Sequence, residues 1–434
     1  MYLQYSIILV KGGVCMNIKN IKSNNNGFYY YKTDEFATID IRYYFNYENT
    51  KENYIKAKIL SNYLLKTNKL YKTQKEITDR SKELYGLSVN IGNKEFGSKT
   101  FIYFELKMAN PRIIEEDYFN DALEFYKNIM LKPNFKDNKL DMEVFNQIKK
   151  EIIDKENNNI KNSSKYNERL YYKNIIPNSI INQRIITDIK ELEDIINKIE
   201  DIDIINFYND IINNYITSFA FGNLLDEEIK IIENTFDFKQ IDFDYKYDVK
   251  DEILTNDIEI TSKETTQSYI YFTYEIKDYK KENSYIYDAL NTLLNNNNGP
   301  IYTVYRTKLG ISYSQYEQIL YNNGVFFIEA DIDKKNKQKA INGLKEIFDI
   351  LNDKEEVERL LKYTKERRRQ LLISYSESVK EIINELEKYI LKYDLSEKEK
   401  LKLINNLSVD DIMSQINNLE YKCMYFYKGD KDEK

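Results

Sequence analysis

Two stretches of alternating side chains set the pattern of the chain. In "EFATIDIRYYFNY", Ala37, Ile39, Ile41, Tyr43 and Phe45 fall on one side and Thr38, Asp40, Arg42 and Asn46 on the other. A period of two with one apolar side predicts a half-buried strand. "QSYIYFTYEI" repeats it, with Ile270, Phe272, Tyr274 and Ile276 opposing Thr273 and Glu275. Each stretch leads into a helical one. A second pair of strands follows: "GSKTFIYFELKMAN" aligns Ile102, Phe104, Leu106 and Met108, and "NNGVFFIEADID" aligns Phe326, Ile328, Ala330 and Ile332. Both run directly into amphipathic helices, carried by Phe119, Ala122, Leu123, Tyr126 and Met130 in the first and by Ile341, Leu344, Phe348 and Leu351 in the second. Each copy continues through long charged helical stretches. It then closes on a short apolar strand before a glycine, "YITSFAFGN" at Gly222 and "YKCMYFYKG" at Gly429.

The same order of elements thus occurs twice, about 210 to 230 residues apart, as expected of an internal repeat. The expectation is an α+β protein of two homologous domains, each a mostly antiparallel sheet covered by helices. They are placed at residues 17–235 and 263–434, joined by an acidic, aromatic linker at 236–262. Residues 1–16 are set aside as an N-terminal extension, with Met16 as an alternative start. A chain of 434 residues exceeds one ordinary core, and its 42% apolar content suffices for two.

Charge and composition narrow the function classes. A net charge of −7 argues against an electrostatic nucleic-acid binder. The one dense basic run, Glu366-Arg367-Arg368-Arg369, reads as a solvated helix face. Two cysteines, Cys15 and Cys423, make no disulfide framework, and Cys423 in an apolar strand reads as a buried structural thiol. A cytoplasmic location is expected, with no membrane association, because no apolar run approaches a membrane span or a signal peptide. The Asn tracts at Asn24–Asn26, Asn157–Asn159 and Asn295–Asn298 read as loops enlarged by compositional bias. There is no histidine at all, which removes the commonest ligand and base of hydrolytic sites. Acidic groupings such as Glu115, Glu116 and Asp117, or Asp141 and Glu143, read as solvated faces in so charged a chain.

Three segments carry a resemblance to the insulinase-like, pitrilysin-type zinc peptidases: "KTQKEITDRSKELYGLSVNIG" with its Leu-Tyr-Gly turn, "GPIYTVYRTKLGISYS" with Arg306, Gly310 and Tyr313 in an Arg-x-x-x-Gly-x-x-Tyr pattern, and the closing "YFYKGD". The sequence most resembles a small bacterial subgroup encoded beside an active peptidase and linked to modification of elongation factor P. Active members of this family carry H-x-x-E-H on the helix after the first strand, with two histidines binding zinc and the glutamate activating water. Here that helix reads "KAKILSNYLLKTNKLY", so that Lys58 and Asn62 stand for the histidines and Ser61 for the glutamate. None can perform the family task. The resemblance therefore implies a catalytically inactive subunit without a metal of its own, forming one half of a clamshell. Zinc is expected in an active insulinase-like partner, and a peptide or unfolded polypeptide is the expected substrate. In two-subunit members the metal helix and the Arg/Tyr pair belong to different chains, so Arg306 and Tyr313 are the expected substrate-binding residues. Thr307 departs from the acidic residue common there, and Gly299 alone remains of a glycine-rich turn. Two alternatives stay open: a non-enzymatic assembly or scaffold protein of the same fold, acting through protein contacts, and an enzyme of unrelated mechanism, for which the sequence offers no nucleophile, phosphate loop or metal cluster.

Overall fold

A computed structural model describes residues 21–431 apart from 25, 162, 248–251, 278 and 321–323. The expected extension at 1–16 lies outside the described residues. The first half runs β1 (Lys22–Ser23), β2 (Phe28–Lys32), β3 (Thr38–Tyr47), α1 (Lys51–Lys66), α2 (Gln74–Glu83), β4 (Ser88–Phe96), β5 (Lys99–Ala109), α3 (Pro111–Ile114), α4 (Phe119–Leu131), α5 (Met142–Lys161), α6 (Ser163–Ile175), α7 (Ile189–Lys198), α8 (Asp201–Asn213), β6 (Tyr215–Gly222) and α9 (Asp226–Thr235). The second runs β7 (Ile258–Ser262), β8 (Ser268–Ile276), α10 (Ser284–Asn295), a π-helical turn (Tyr302–Lys308), β9 (Ser312–Leu320), β10 (Val325–Ile332), α11 (Lys337–Asn352), α12 (Lys354–Ser376), α13 (Val379–Leu391), α14 (Glu397–Asn405), α15 (Val409–Asn417) and β11 (Leu419–Gly429). Strand β7 thus falls at the end of the stretch expected to be a linker.

The sheets are ordered β1-β2-β6-β3-β5-β4 and β7-β11-β8-β10-β9. From β2 and β7 onward these orders are equivalent, strand for strand. In each, the outermost of the equivalent strands pairs in parallel with the closing strand, β2 with β6 and β7 with β11, and the remaining pairings are antiparallel. The protein is α+β with two sheets covered by helices. The aligned residues of the strands build the two main cores: Ile39, Ile41, Ile102 and Phe104 lie in one, and Ile270, Phe272, Phe326 and Ile328 in the other.

The expectation of half-buried strands fails in one respect. Asp40 and Tyr44 on β3, and Thr273 on β8, belong to the polar or unassigned side yet are buried. For Tyr44 and Thr273 the cause is an exchange of helices between halves. Helix α13 of the second half lies on the outer face of the first sheet, where Ile382, Ile383, Leu386 and Ile390 meet Tyr44, Phe101 and Phe219. Helix α6 of the first half covers the outer face of the second sheet. There Tyr171 stacks on Tyr271 at 4.4 Å, bonds Thr273 through its hydroxyl at 2.9 Å, and lies against Phe327 and Tyr425.

Each exchange also carries polar groups that fix its register. Under α13, Glu387 is 1% exposed; it accepts from Arg42 at 2.7 Å and also from Tyr44 and Lys94. Under α6, Asn167 donates to the Tyr271 hydroxyl at 2.9 Å, and Tyr316 donates to Glu329 at 2.6 Å. Burial pushes the Glu329 carboxyl up to about 7, against the opposing hydrogen bonds of Tyr316 and Tyr271. A folded-state pKa above the unfolded value means that this group favours folding most at low pH, and the contribution is lost as pH rises through about 7. Asp40 and Asp331, both raised to about 6 chiefly by burial, act in the same direction. Urea melts of the wild type and of Glu329→Gln should therefore converge at low pH and separate on the order of 1–3 kcal/mol above neutrality, the variant being the more stable there. Parallel pH profiles would show that Glu329 is not protonated in the fold.

One compositional reading is corrected, and a second only at its first residue, since Asn296–Asn298 do form a turn after α10. Asn157–Asn159 lie inside α5, not in a loop. Asn295 ends α10, and its side chain pairs both backbone groups of Glu317 on β9, donating to the carbonyl at 3.1 Å and accepting from the N–H at 2.7 Å. The last residue of α10 thus anchors the helix to the sheet. The basic run is solvated only in part: Arg368 turns inward to Glu397 at 2.6 Å. Cys423 is buried in β11, as expected, and burial raises its thiol to about 11.

Candidate functional site

Helix α1 is started by Thr50, whose side chain accepts from the Asn53 N–H. Ile55, Ile59, Leu60 and Tyr63 anchor its core face. The three motif positions then separate by helical phase. Ser61 is buried on the core side and donates to the Ala57 carbonyl at 2.7 Å. Lys58 and Asn62, one turn apart, lie on an open stripe with Tyr54. The Asn62 amide donates back to the Lys58 carbonyl at 2.7 Å, and the Lys58 ammonium sits 4.3 Å from the Tyr54 ring centre.

This stripe forms one wall of a cavity of about 350 Å³. Glu151, Lys155 and Asn159 of α5 form a second wall at the same helical spacing. Glu156 of α5, Glu95 of β4, Arg169 of α6, and Arg184 in the connection to α7 complete the polar lining. Sequence reading singled out Lys58 and Asn62 but missed the rest. The spacing of Glu151, Lys155 and Asn159 was visible, but nothing in it pairs α5 with α1. Burial lowers the Lys58 ammonium to about 8, and the positive charges of Arg169 and Lys155 push it the same way.

The Arg306/Tyr313 pair lies elsewhere. Arg306 belongs to the π-helical turn, closed by a 2.9 Å bond from the Leu309 N–H to the Val304 carbonyl. Wide turns of this kind recur at functional sites. Gly310 then adopts φ +58°, a left-handed conformation that lets the chain reverse into β9. The Arg306 guanidinium stacks on the Tyr313 ring at 4.2 Å, and its Nη1 reaches the Ser312 carbonyl at 3.5 Å. Among the described residues it has no carboxylate partner. Tyr313 is 88% exposed and borders an open depression with Thr266, Gln267 and Asp331. Strand β9 is the edge of its sheet. The first half has no equivalent pair: Gly86 (φ +70°) occupies the same place two residues ahead of β4, and counting from it puts Lys82 and Val89 where Arg306 and Tyr313 stand. The structure does not bring the pair together with Lys58 and Asn62, since the cavity is lined by first-half residues and the depression by second-half ones.

Residues 202–363 match the family described as "Peptidase M16 inactive domain". The matched span runs from α8 through β6, α9 and the second half into the first part of α12, including Arg306 and Tyr313. No curated protein matches the chain. Among solved structures, a conserved protein from Enterococcus faecalis V583 superposes with a TM-score of 0.77 at 18% identity, over 96% of this chain and 100% of that one. The peptidase M16 inactive domain from Pseudomonas fluorescens does so with a TM-score of 0.70 at 14% identity, over 95% and 99%. The periplasmic protease PqqL from Escherichia coli gives 0.65 at 12% identity, over 93% of this chain but 44% of that one. At such identities these likenesses show the fold, and both kinds of comparison lead to insulinase-like proteins, the family match being to a domain of inactive type.

The residues at the motif positions do not fit a zinc ion. Lys58 is a cation held among cations, the Ser61 oxygen is turned into its own helix, and the Asn62 amide is engaged by the backbone. Among the described residues no three Asp, Glu or Cys side chains are grouped to hold a metal.

Proposed function

We propose that this chain is a non-catalytic subunit of an insulinase-like peptidase. It closes a peptide chamber with an active H-x-x-E-H partner and presents Arg306 and Tyr313 to the substrate. The carrying observation is the Arg306–Tyr313 pair itself: a tyrosine 88% exposed, held by a stacked guanidinium that has no carboxylate partner among the described residues, beside an edge strand. Such a tyrosine buries nothing and stabilises little where it stands. Its hydroxyl can donate to a carbonyl oxygen, as can the free N–H groups of the guanidinium. Donors placed where negative charge develops lower the barrier to attack on a peptide carbonyl. The edge of β9 around Tyr313, ahead of the stretch that Asn295 covers at Glu317, offers backbone groups to an extended peptide running past them.

The partner is inferred from what the chain lacks and from its size. At its motif positions the first half carries Lys58, Ser61 and Asn62, none of which activates water, and the chain superposes on less than half of one longer protease, so a second unit of similar size would complete the chamber. This reading carries with it the bacterial, cytoplasmic subgroup encoded beside an active peptidase and its link to elongation factor P. The test is isolation of the tagged chain at native expression level. A similar-length chain with H-x-x-E-H should come with it in near-equal amount; recovery of the chain with no such partner would reject the heterodimer.

A further inference from the structure

We propose that the cavity between α1 and α5 binds a single oxyanion group, a carboxylate or a phosphate, through Lys58, Lys155 and Arg184. This goes beyond the proposed function, which makes no use of the cavity.

The argument is one of unmatched charge in a confined space. Three carboxylates face the cavity. Glu151 is held by Lys66 at 2.7 and 2.8 Å and by Gln147 at 2.9 Å. Glu156 is held by Arg169 and by the Asn159 amide at 3.2 Å. Glu95 has one ion-pair partner among the described residues, Arg184, whose Nε is 3.9 Å away, and its charge also acts on Lys58. On the cationic side, Lys58 and Lys155 have no carboxylate partner among the described residues. Arg184 Nη1 is buried without a hydrogen-bond partner. Leaving a buried donor unsatisfied is unfavourable, and gathering ammonium groups beside guanidinium groups adds repulsion. An entering oxyanion relieves both. A planar carboxylate or a phosphate can accept from Arg184 in a bidentate manner while the lysines supply point charges. A metal cation is repelled by the same groups. The cavity volume suits a small molecule or a chain end, not a folded partner.

The groups facing Lys58 are Tyr54 on its own helix, Glu95 on β4, Lys155 on α5 and Arg169 on α6. A bound anion favours the charged lysine, so binding should weaken as pH rises through about 8.

The test is calorimetric titration of the full chain with inorganic phosphate, with an N-acetylated tripeptide bearing a free C-terminal carboxylate, and with the same tripeptide amidated. The expected result is saturable one-to-one binding of phosphate, of the free-carboxylate peptide or of both, with no binding of the amidated peptide. Phosphate alone would identify a phosphate ligand, and the peptide alone a chain terminus. Lys58→Met and Lys155→Met should each weaken binding at least tenfold, while Lys362→Met on the solvent face of α12 leaves it unchanged. Should Lys58→Met fail to fold, Lys155→Met at the cavity mouth still decides the question. Absence of saturation by both anions, equal binding of the amidated peptide, or wild-type affinity in the folded variants would overturn the proposal. Cleavage by a partnered complex is a separate readout that these variants need not change.

Discussion

Glu387→Ala should cost about 3–5 kcal/mol of folding stability, the usual loss when one member of a buried, hydrogen-bonded ion pair is removed. The carboxylate is 1% exposed and joins α13 to Arg42, Tyr44 and Lys94 of the other half. Without it, Arg42 keeps Glu105, but Tyr44 and Lys94 lose the partner that bound them to α13. Lys94 retains access to water, being 25% exposed, which places the loss toward the lower end. Urea melts followed by circular dichroism give the magnitude. Hydrogen exchange adds the location, because amides of α13 should lose protection before those of the sheet strands. A loss below about 1 kcal/mol would mean that α13 is held by its apolar face alone.

The second large effect is catalytic. In a complex reconstituted with the active partner, Tyr313→Phe and Arg306→Ala should each lower kcat/KM for peptide cleavage about 10²–10³-fold, the usual cost of removing a donor to developing negative charge. Both should leave assembly intact, since Tyr313 is exposed and, among the described residues, its hydroxyl makes no hydrogen bond and Arg306 makes no ion pair. Tyr313→Phe retains the ring on which Arg306 stacks, so it isolates the hydroxyl. If KM alone rises while kcat holds, the pair binds substrate without acting on the transition state.

The alternating residues of β3, β5, β8 and β10 placed the apolar faces of both sheets correctly, because an inward face repeats every two residues whatever lies beyond it. The outer faces were not legible. Tyr44 and Thr273 stand on the sides that the alternation leaves to solvent, and their burial depends on helices from the opposite half of the chain. Nothing local in Val379–Leu391 says that it will cover Phe219 and not its own sheet. The same limit explains the cavity. Lys58 and Asn62 were readable from the resemblance, but their company depends on α5, α6 and the connection carrying Arg184, elements brought there by tertiary packing. Asn157–Asn159 show the opposite error: bias in composition suggested a loop, and helix α5 continues through them. Arg306 and Tyr313 were readable as a motif. Their stacking and exposure needed the wide turn that precedes Gly310.

The account rests on a division of labour, with bond cleavage belonging to another chain. It is tested most directly by assaying fluorogenic peptide hydrolysis with the purified chain alone, with the H-x-x-E-H partner alone, and with the two mixed at equal concentration. The account predicts blank-level rates for the lone chain and a rate for the mixture far above that of the partner alone. Hydrolysis by the lone chain at the rate of the mixture would contradict it.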